Sequence, residues 1–475
     1  MPRCAACWRA GREAGVAYAC CVGPISYMAA ESNIDTLYES AQAAYREGRA
    51  DAALAGYERV LVRAPTHVGA LYHKAMLAFQ ANRLAESTTL LRDARAVMPD
   101  DVEINMRLGF VLLAAGRAKE ARDPLEQAAA IAPLWFEPHL KLGLAHLALG
   151  QRDQAQECFQ RALMANPGIQ AALQDEREPA AFREEIRVAL ELVGEREWAI
   201  ASGALDSSAG AHPAADLSRI ERGFRIECGR EARVFNHPLR RPLFLYLPDL
   251  PATPWFEREQ FDWVPRVEER LPGVRDELET LIREEAQFVP YISQGGGVDP
   301  QGTDYSSLEG SMIWNAFYLI QGGRWLEDRC QRCPQTTEVM RAVPAPRMRG
   351  FAPEVIFSRL QAGGHIVPHF GRTNVRLTAH MGVIIPDDCA IRVAEETRGW
   401  QEGRVVLFDD SFEHEVWNRS ERDRTVLIFE VWHPALEPAE IVAIESFFHA
   451  RSEWLGLCKP AAAPAPEPEQ STRET

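Results

Sequence analysis

Four prolines at a constant interval constrain the fold of this chain more than any other feature. Each lies 34 residues from the next: Pro65, Pro99, Pro133 and Pro167. A second series precedes each proline by 17 residues: Gly48, Asn82, Gly116 and Gly150. Glycine and asparagine tolerate the left-handed backbone of a tight turn, and proline prevents one helix from running into the next. The interval therefore predicts a helix–turn–helix unit that occurs four times.

Small and large residues also recur at fixed places inside each unit. The first helix of each unit carries a small residue: Ala41, Ala75, Gly109 and Gly143. The second helix carries a small residue followed four positions later by a large one: Ala53 and Tyr57, Ser87 and Leu91, Ala121 and Leu125, Ala155 and Phe159. This register resembles the tetratricopeptide repeat, in which small residues let paired helices approach and large ones fill the gap. The resemblance implies an α-helical solenoid of four repeats over residues 33–170.

Stacked repeats of this kind leave a concave groove. Such a groove commonly holds a peptide, so we expect the repeats to recognise a peptide or protein. The alternative is that the stack serves as a rigid spacer or a dimer surface.

Composition narrows the possible partners. The chain has 475 residues and a formal net charge of −16, which argues against nucleic acid or an anionic membrane surface. Its length indicates two or three domains, and its short, charge-interrupted apolar stretches predict no membrane span. The ten cysteines lack a regular framework, which favours a reducing, cytoplasmic location. Cys330 and Cys333 form a C-x-x-C motif, which leaves open a redox or metal pair, structural thiols or a local disulfide.

Three segments read as terminal or connecting sequence. We expect residues 1–32 to be an unstructured leader, although the arginines before an uncharged stretch superficially suggest a signal peptide. Residues 171–232 read as a helical segment followed by a linker, because Ser202–Ser218 is mostly small and polar. Residues 451–475 read as a C-terminal extension with a disordered tail of alanine, proline and glutamate.

The pattern changes to short β-rich runs between Val355 and His433. The predicted strands are Val355–Leu360, Asn374–Ile385, Ala390–Ala394, Arg404–Phe408, His414–Asn418 and Thr425–Trp432. Six short strands without intervening helices favour a β-sandwich or jelly roll. The predicted fold class is therefore a multidomain α plus β protein, with an α-helical solenoid before a β domain.

Five of the 12 histidines of the chain lie in this β-rich segment. His369 and His414 are 45 residues apart, on or near different predicted strands, and can converge inside a small barrel. Imidazole suits iron(II), and non-haem oxygenases commonly add one carboxylate to two histidines. A single histidine in a strand is more commonly a core or surface residue, so that alternative stays open on spacing alone.

Longer motifs surround both histidines. They read His-Ile-Val-Pro-His-Phe-Gly-Arg-Thr-Asn from His365, Phe-Asp-Asp-Ser-Phe-Glu-His-Glu-Val-Trp from Phe408, and Val-Trp-His-Pro from Val431. These motifs closely resemble the aspartyl/asparaginyl β-hydroxylase family of iron(II)- and 2-oxoglutarate-dependent oxygenases. The resemblance covers about residues 235–440 and extends more loosely upstream to Leu247–Trp255 and Trp314–Leu319. It implies a double-stranded β-helix (jelly-roll) oxygenase domain over residues 233–450.

The resemblance implies a metal site with two protein ligands. His369 and His414 would bind iron(II). Gly371 stands where the wider oxygenase superfamily places its carboxylate ligand, and this glycine is the pattern of the family itself. Two protein ligands leave more coordination positions for water, the cosubstrate and dioxygen.

The resemblance also implies a cosubstrate site. Arg424 would bind the distal carboxylate of 2-oxoglutarate with the help of the Ser358 hydroxyl, and His380 would lie near the other carboxylate. A buried carboxylate needs such a cation, because an unpaired one is costly. Without the resemblance, Arg424 reads equally well as a surface charge at the end of a strand.

One departure from the family bears on the substrate. The family pattern is Arg-Leu-Arg-x-His, but this chain reads Arg376-Leu377-Thr378-Ala379-His380, so Thr378 replaces a cation. Arg376 remains as the candidate for binding an anionic group of the substrate. The exchange favours either a different substrate or a weaker hold on the cosubstrate.

Three acidic residues precede or adjoin the second histidine ligand. Asp409, Asp410 and Glu413 read as turn residues, as acceptors that fix the tautomer of the His414 ring, or as both.

Several functions are compatible with these residues. The leading one is a dioxygenase that hydroxylates an unactivated carbon, such as the β-carbon of an Asp- or Asn-type side chain in a peptide or protein. An iron-dependent halogenase is an alternative, because Gly371 opens space for a halide. A non-catalytic repeat scaffold with a degenerate β-barrel is another. The substrate itself stays open between a peptide side chain, a free amino acid and a lipid-linked acyl chain.

Overall fold

A computed structural model describes residues 31–456 except 167, 285, 294–297 and 299–301. The predicted leader and the predicted disordered tail lie almost entirely outside this range. The chain divides into two compact units, residues 1–193 and 194–475. Among the residues that the structure describes, no helix is both long and apolar enough to cross a bilayer.

The first unit contains four consecutive helix pairs, as the 34-residue interval predicts. The pairs are α1 (Glu31–Arg46) and α2 (Ala50–Arg63), α3 (Val68–Gln80) and α4 (Leu84–Val97), α5 (Val102–Ala114) and α6 (Ala118–Ile131), α7 (Phe136–Ala148) and α8 (Arg152–Ala165). The turn inside each pair has a left-handed residue, such as Asn82 at φ 57° or Gly116 at φ 71°. The predicted turn series is therefore confirmed.

The small and large positions meet inside each pair. A β-carbon added to Gly143 would lie 2.4 Å from the Phe159 ring, and one added to Gly109 would lie 2.3 Å from the Leu125 side chain. Both large residues are fully buried. A larger residue at either glycine would force the two helices apart, which explains the register.

The predicted linker at Ser202–Ser218 is wrong over most of its length. Helix α9 (Ala180–Ala211) continues through it, and helix α10 (Ser218–Glu227) follows after a short loop. Ala201, Ala204 and Ser208 are buried, at spacings that put them on one face of α9. Alanine has the highest helix propensity, and its small side chain permits close packing, so a composition that resembles a linker forms a packed helix.

The second unit contains two antiparallel sheets and several short helices. The helices after α10 are α11 (Val264–Glu268), α12 (Leu271–Arg283), α13 (Glu327–Arg332), α14 (Pro334–Arg341) and α15 (Pro438–Trp454). The strands are β1 (Trp255–Phe256), β2 (Val289–Pro290), β3 (Trp314–Gln321), β4 (Arg324–Trp325), β5 (Val355–Leu360), β6 (His365–His369), β7 (Arg376–Ile384), β8 (Cys389–Val393), β9 (Glu396–Gly399), β10 (Val405–Phe408), β11 (His414–Asn418) and β12 (Arg424–Trp432).

All six predicted strands occur within one or two residues of their expected bounds. Eight strands form the large sheet in the order β1-β10-β7-β12-β5-β3-β2, with β4 paired to β3. Four strands form the small sheet in the order β6-β11-β8-β9. The sequence pattern missed β6, which contains Pro368, and β9, which is mostly polar.

The two faces of the large sheet have different partners. On β7, Leu377, Ala379 and Met381 share one hydrophobic cluster with residues of α11, α12 and α14. The alternate residues Thr378 and His380 lie on the opposite face, because side chains of a strand alternate. A second cluster joins the large sheet to the small one through residues such as Phe408, Ile391 and Val416. The face that carries His380 is called the inner face below.

Candidate active site

His369 and His414 lie side by side on neighbouring strands of the small sheet. They are register partners across β6 and β11, and their ring centroids are 4.0 Å apart at an interplanar angle of 51°. His414 is buried and His369 is half-buried. The structure thus brings together the two predicted metal ligands, whose role in binding metal stays a prediction.

Backbone carbonyls set the orientation of both rings. The Nδ1 atom of His369 lies 2.7 Å from the carbonyl oxygen of Val367, and Nδ1 of His414 lies 2.9 Å from that of Phe412. A carbonyl only accepts hydrogen bonds, so each Nδ1 carries the proton and each Nε2 keeps a lone pair. Burial lowers the pKa of both rings, which favours the neutral form that binds metals.

The acidic residues near His414 do not hold its ring, so the suggestion that they fix its tautomer is wrong. Asp409 accepts hydrogen bonds from the backbone and hydroxyl of Ser411 at 3.0 and 2.5 Å, which confirms its turn role. Glu413 pairs with Arg392 at 2.9 Å.

The space beside Gly371 is filled by Asp410. A β-carbon built on Gly371 would lie 2.3 Å from Cγ of Asp410 and 2.4 and 2.6 Å from its carboxylate oxygens. The backbone N–H of Gly371 also donates to the Asp410 carbonyl at 2.6 Å. Within the described ranges, no group of three or more His, Cys, Asp or Glu side chains is arranged to hold a metal ion.

Arg424 lies on the inner face with an unusual lack of protein partners. It is 1% exposed, and its guanidinium stacks over the Trp400 ring at 4.5 Å. Its Nε and Nη1 atoms have no hydrogen-bond partner among the described residues. Burial lowers its pKa to about 10, so the group remains charged at neutral pH. A buried, charged donor without a partner is costly, which indicates that a ligand acceptor completes it.

Other polar atoms on this face also lack partners. His380 Nδ1 and Trp400 Nε1 are buried and likewise have no partner in the described part of the chain. The two rings are stacked, with centroids 6.0 Å apart. Ser358 accepts a hydrogen bond from Trp314 Nε1 at 3.1 Å and keeps its own hydroxyl proton for a ligand. These donors fit a small dicarboxylic acid such as 2-oxoglutarate.

Arg376 is paired with two carboxylates, and its predicted role in binding a substrate anion stays a prediction. It is 5% exposed, and its Nη1 and Nη2 atoms pair with Asp410 at 3.0 Å and with Glu430 at 3.1 Å. Burial alone would lower its pKa, but these carboxylates raise it. Thr378 accepts from Arg376 at 3.1 Å and donates to Asp410 at 3.0 Å. The Nε atom of Arg376 has no hydrogen-bond partner among the described residues, whereas a substrate anion could reach Nη1 or Nη2 only by displacing a carboxylate.

The sequence analysis missed Arg240, which shapes the turn before His414. Arg240 and Asp409 are both 0% exposed and form an ion pair at 2.8 Å. Arg240 also donates to the carbonyl of Leu250 and to the hydroxyl of Ser411. Nothing in the local sequence distinguishes Arg240 from the neighbouring Arg241, so only the distant contact reveals it.

Cys330 and Cys333 are buried free thiols, and Cys330 donates to the Leu319 carbonyl at 3.4 Å. Among the alternatives for this C-x-x-C motif, the structure shows packed thiols.

Family models of known proteins match parts of both units. Residues 268–434 match the family model described as aspartyl/asparaginyl beta-hydroxylase. Tetratricopeptide-repeat models match residues 38–96, 88–134 and 136–169. A fragment of MamA from Desulfovibrio magneticus RS-1 is a solved structure with 21% identity, covering 34% of this chain and 90% of its own, at a TM-score of 0.29.

Three of the curated relatives are similar to part of this chain. The human aspartyl/asparaginyl beta-hydroxylase is 34% identical over 198 residues, which are 40% of this chain and 24% of that protein. Aspartate beta-hydroxylase domain-containing protein 2 of Xenopus tropicalis is 32% identical over 49% of this chain and 60% of that protein. The ornithine lipid ester-linked acyl 2-hydroxylase of Rhizobium tropici is 29% identical over 40% of this chain and 64% of that protein.

The chain thus spans less than two thirds of each of these relatives. The range matched by the β-hydroxylase family model contains both facing histidines and Arg424. The chain carries an aspartyl/asparaginyl β-hydroxylase domain preceded by tetratricopeptide repeats.

Proposed function

We propose that this protein is an iron(II)- and 2-oxoglutarate-dependent dioxygenase that hydroxylates an unactivated carbon in a peptide or protein substrate. The β-carbon of an Asp- or Asn-type side chain is the proposed position. The observation that carries the proposal is the pair of facing imidazoles in the same domain as Arg424, a buried arginine whose Nε and Nη1 atoms have no hydrogen-bond partner among the described residues. In this proposal the two sheets form the double-stranded β-helix of such oxygenases.

His369 and His414 would hold iron(II), and Ser358, His380 and Arg424 would hold 2-oxoglutarate. The chemistry that iron(II) supplies when bound is oxidation of a C–H bond by dioxygen, coupled to conversion of 2-oxoglutarate to succinate and carbon dioxide. The carbonyls of Val367 and Phe412 orient the imidazoles for this task.

Aromatic residues around the two histidines exclude water from the site. The rings of Tyr305 and Trp314 lie 5.8 and 6.3 Å from that of His369, and Phe408 lies 5.7 Å from His414. This aromatic lining keeps bulk water from the imidazoles and strengthens electrostatic contacts inside the site. Asp410 Oδ1 is buried without a donor among the described residues, so it can accept a hydrogen bond from a ligand such as a bound water.

The decisive experiment uses three histidine variants. His369→Ala and His414→Ala should each abolish succinate formation from 2-oxoglutarate while leaving the circular-dichroism spectrum and melting temperature nearly unchanged. His365→Ala is the matched control, because His365 lies on the same strand but is exposed and bonded to Glu415. Full activity in either ligand variant, or equal loss in the control, would contradict the assignment.

The halogenase alternative is disfavoured by a specific contact. The carboxylate of Asp410 occupies the space beside Gly371, and a halide would meet both its volume and its negative charge. Dependence of turnover on chloride would reverse this conclusion. Absence of both 2-oxoglutarate binding and succinate formation in the iron-loaded protein would instead support the non-catalytic scaffold.

The proposed partner is a peptide or protein segment held by the tetratricopeptide repeats, and the proposed location is the cytoplasm. The free thiols at Cys158, Cys228, Cys330, Cys333 and Cys389 support a reducing compartment. The Rhizobium tropici relative is named for an acyl chain of a lipid. A lipid substrate is therefore the competing class, and it is included in the test below.

A further inference from the structure

A cavity of about 490 Å³ lies in the second unit and has no role in the proposed chemistry. Its volume falls within the range of about 300–1,000 Å³ that is typical of ligand sites. Apolar side chains such as Trp325, Met340 and Phe429 line its walls, together with three arginines: Arg341, Arg347 and Arg349. Glu430 is the fourth charged residue of the lining.

The positive charge of this cavity is largely unmatched. No ion pair of Arg341, Arg347 or Arg349 with a carboxylate is found in the described part of the chain, although Glu445 lies close enough to interact with Arg347. The guanidinium of Arg349 lies 3.2 Å from a ring nitrogen of His449. Glu430 offsets little of this charge, because its carboxylate is occupied by Arg376 at 3.1 Å and by the backbone N–H of Glu354 at 3.0 Å.

One of these arginines is prepared for a carboxylate. The guanidinium of Arg341 lies over the Trp325 ring, 5.1 Å from its centroid. Stacking on the face of a ring restrains the guanidinium and leaves its in-plane N–H groups available. Those groups match a carboxylate in geometry as well as in charge.

The cavity is connected to the candidate active site by two ionic contacts. Glu430 binds Arg376, and Arg376 binds Asp410 at 3.0 Å. Asp410 in turn fills the space beside Gly371. Glu430 in the cavity wall is therefore two ion pairs away from Asp410, and neither His369 nor His414 is among the lining residues of the cavity.

The inner face itself offers little to an acidic substrate. The two terminal nitrogens of Arg376 are paired with carboxylates, which neutralise its charge, and Thr378 is neutral. The whole chain carries a formal charge of −16, so acidic peptides are repelled from most of its surface. Selective binding of an acidic peptide needs a local cationic site, and the arginine-lined cavity is such a site.

We propose that this cavity binds an acidic flank of the peptide or protein substrate, through Arg341 and Arg347. That the bound peptide is a substrate rests on the proposed function. The binding itself does not require iron or 2-oxoglutarate. The occupant is thus a segment with Asp or Glu residues near the residue that is modified.

The test uses three fluorescent peptides that share a central Asn and differ only in their flanks, which are Glu, Gln or Lys. Fluorescence anisotropy at low salt, without iron or 2-oxoglutarate, gives the affinity of each. The full-length protein should bind the Glu peptide about tenfold more tightly than the Gln peptide. The variant R341E/R347E should lose this preference and bind the Lys peptide more tightly than the wild type does. The variant R341K/R347K keeps the positive charge and should keep most of the preference for the Glu peptide.

R419E is the matched control, because Arg419 is also exposed and stacks on a tryptophan, Trp417, at 4.9 Å. It should bind all three peptides as the wild type does. Equal affinity of the wild type for the Glu and Gln peptides, or an unchanged preference in R341E/R347E, would overturn the proposal. So would loss of binding to phosphatidylglycerol vesicles in R341E/R347E with peptide binding intact, which would assign the arginines to a lipid surface.

A succinate assay separates this inference from the proposed function. The Glu peptide should raise succinate formation above the peptide-free rate in the wild type but about tenfold less efficiently in R341E/R347E, with the peptide-free rate unchanged. Normal peptide-free turnover without selective peptide binding would overturn the cavity proposal alone. Selective binding without any turnover of 2-oxoglutarate would support the cavity and remove the dioxygenase.

Discussion

Two buried arginines on the large sheet show opposite states of the same side chain. Arg376 lies at one end of β7 and is bonded to Asp410, Glu430 and Thr378. Arg424 lies at the start of β12 and stacks on Trp400, with two of its nitrogens unpartnered among the described residues. Burying a cation is costly unless a partner compensates it. Where the chain supplies that partner the arginine is structural, and where it does not, a ligand is expected.

The first prediction tests the structural arginine and has the largest expected effect. Arg376→Met should lower the free energy of unfolding by about 3–5 kcal/mol, because it leaves the carboxylates of Asp410 and Glu430 buried without their cation. Urea unfolding followed by tryptophan fluorescence measures the change. Arg424→Met is the comparison, and it should change the stability of the ligand-free protein far less. Equal losses in the two variants would remove the distinction between the arginines.

The second prediction tests the unpaired arginine. Arg424→Met should weaken 2-oxoglutarate binding on the order of 100-fold, since loss of a buried hydrogen-bonded charge costs about 2–5 kcal/mol. Isothermal titration calorimetry on the metal-loaded protein measures the affinity. Arg359→Met is the control, because Arg359 is half-buried near the end of β5 and its guanidinium is already paired with Asp423. An unchanged affinity in Arg424→Met would mean that the cosubstrate binds elsewhere.

This comparison also shows what the sequence can predict. The role of Arg424 was inferred from its family motif, and its burial and missing partners are compatible with that role. The state of Arg376 could not be inferred, because its partners Asp410 and Glu430 lie 34 and 54 residues away along the chain. The position of a strand residue follows from local alternation, but its ionic partners depend on which strands pair.

The repeats were predictable because their contacts are local in the sequence. Gly143 and Phe159 are only 16 residues apart, and each helix pair contacts its sequence neighbours, so the period in the sequence is the period in space. Two features that the sequence did not predict depend on contacts that are distant in the sequence. The segment Ser202–Ser218 resembles a linker in composition, and only packing of Ala201, Ala204 and Ser208 explains why most of it is helical. Arg240 was missed because it meets Asp409 across 169 residues.

The third prediction concerns His433, a buried histidine whose ring is neutral because burying the protonated form would be costly. His433 is 1% exposed, and its Nδ1 accepts a hydrogen bond from the backbone N–H of Ala435 at 3.1 Å. Burial lowers the pKa of His433 to about 4. The unfolded chain binds a proton at this residue near pH 6.5, so between these values the unfolded state holds more protons. Stability is therefore lost as the pH falls.

The expected loss is about 2 kcal/mol in the free energy of unfolding between pH 7 and pH 5. His433→Gln should reduce this pH dependence by most of that amount, as measured by urea unfolding at each pH. His449→Gln is the control at an exposed histidine. A pH dependence that is identical in His433→Gln and the wild type would show that the folded protein tolerates the protonated ring. Like Arg424, and unlike Arg376, the charged His433 ring would then need a partner that the described residues do not supply.

The last prediction concerns Thr378, the residue that departs from the family pattern and contacts Arg376. Thr378 accepts a hydrogen bond from Arg376 and donates one to Asp410, so its hydroxyl lies between the cation and the anion. Thr378→Val keeps the shape but leaves Asp410 with one donor fewer, which should cost about 1 kcal/mol in the free energy of unfolding. Thr378→Ser keeps the hydroxyl and should preserve the ion-pair geometry.

The two variants together separate packing from hydrogen bonding. If Thr378→Ser is the more destabilised of the two, the threonine methyl matters more than the hydroxyl, and Arg376 does not need a third partner. If Thr378→Val is the more destabilised, the neutral threonine stabilises the Arg376–Asp410 pair. The loss of a cation at this position would then be part of what holds Arg376 away from the substrate.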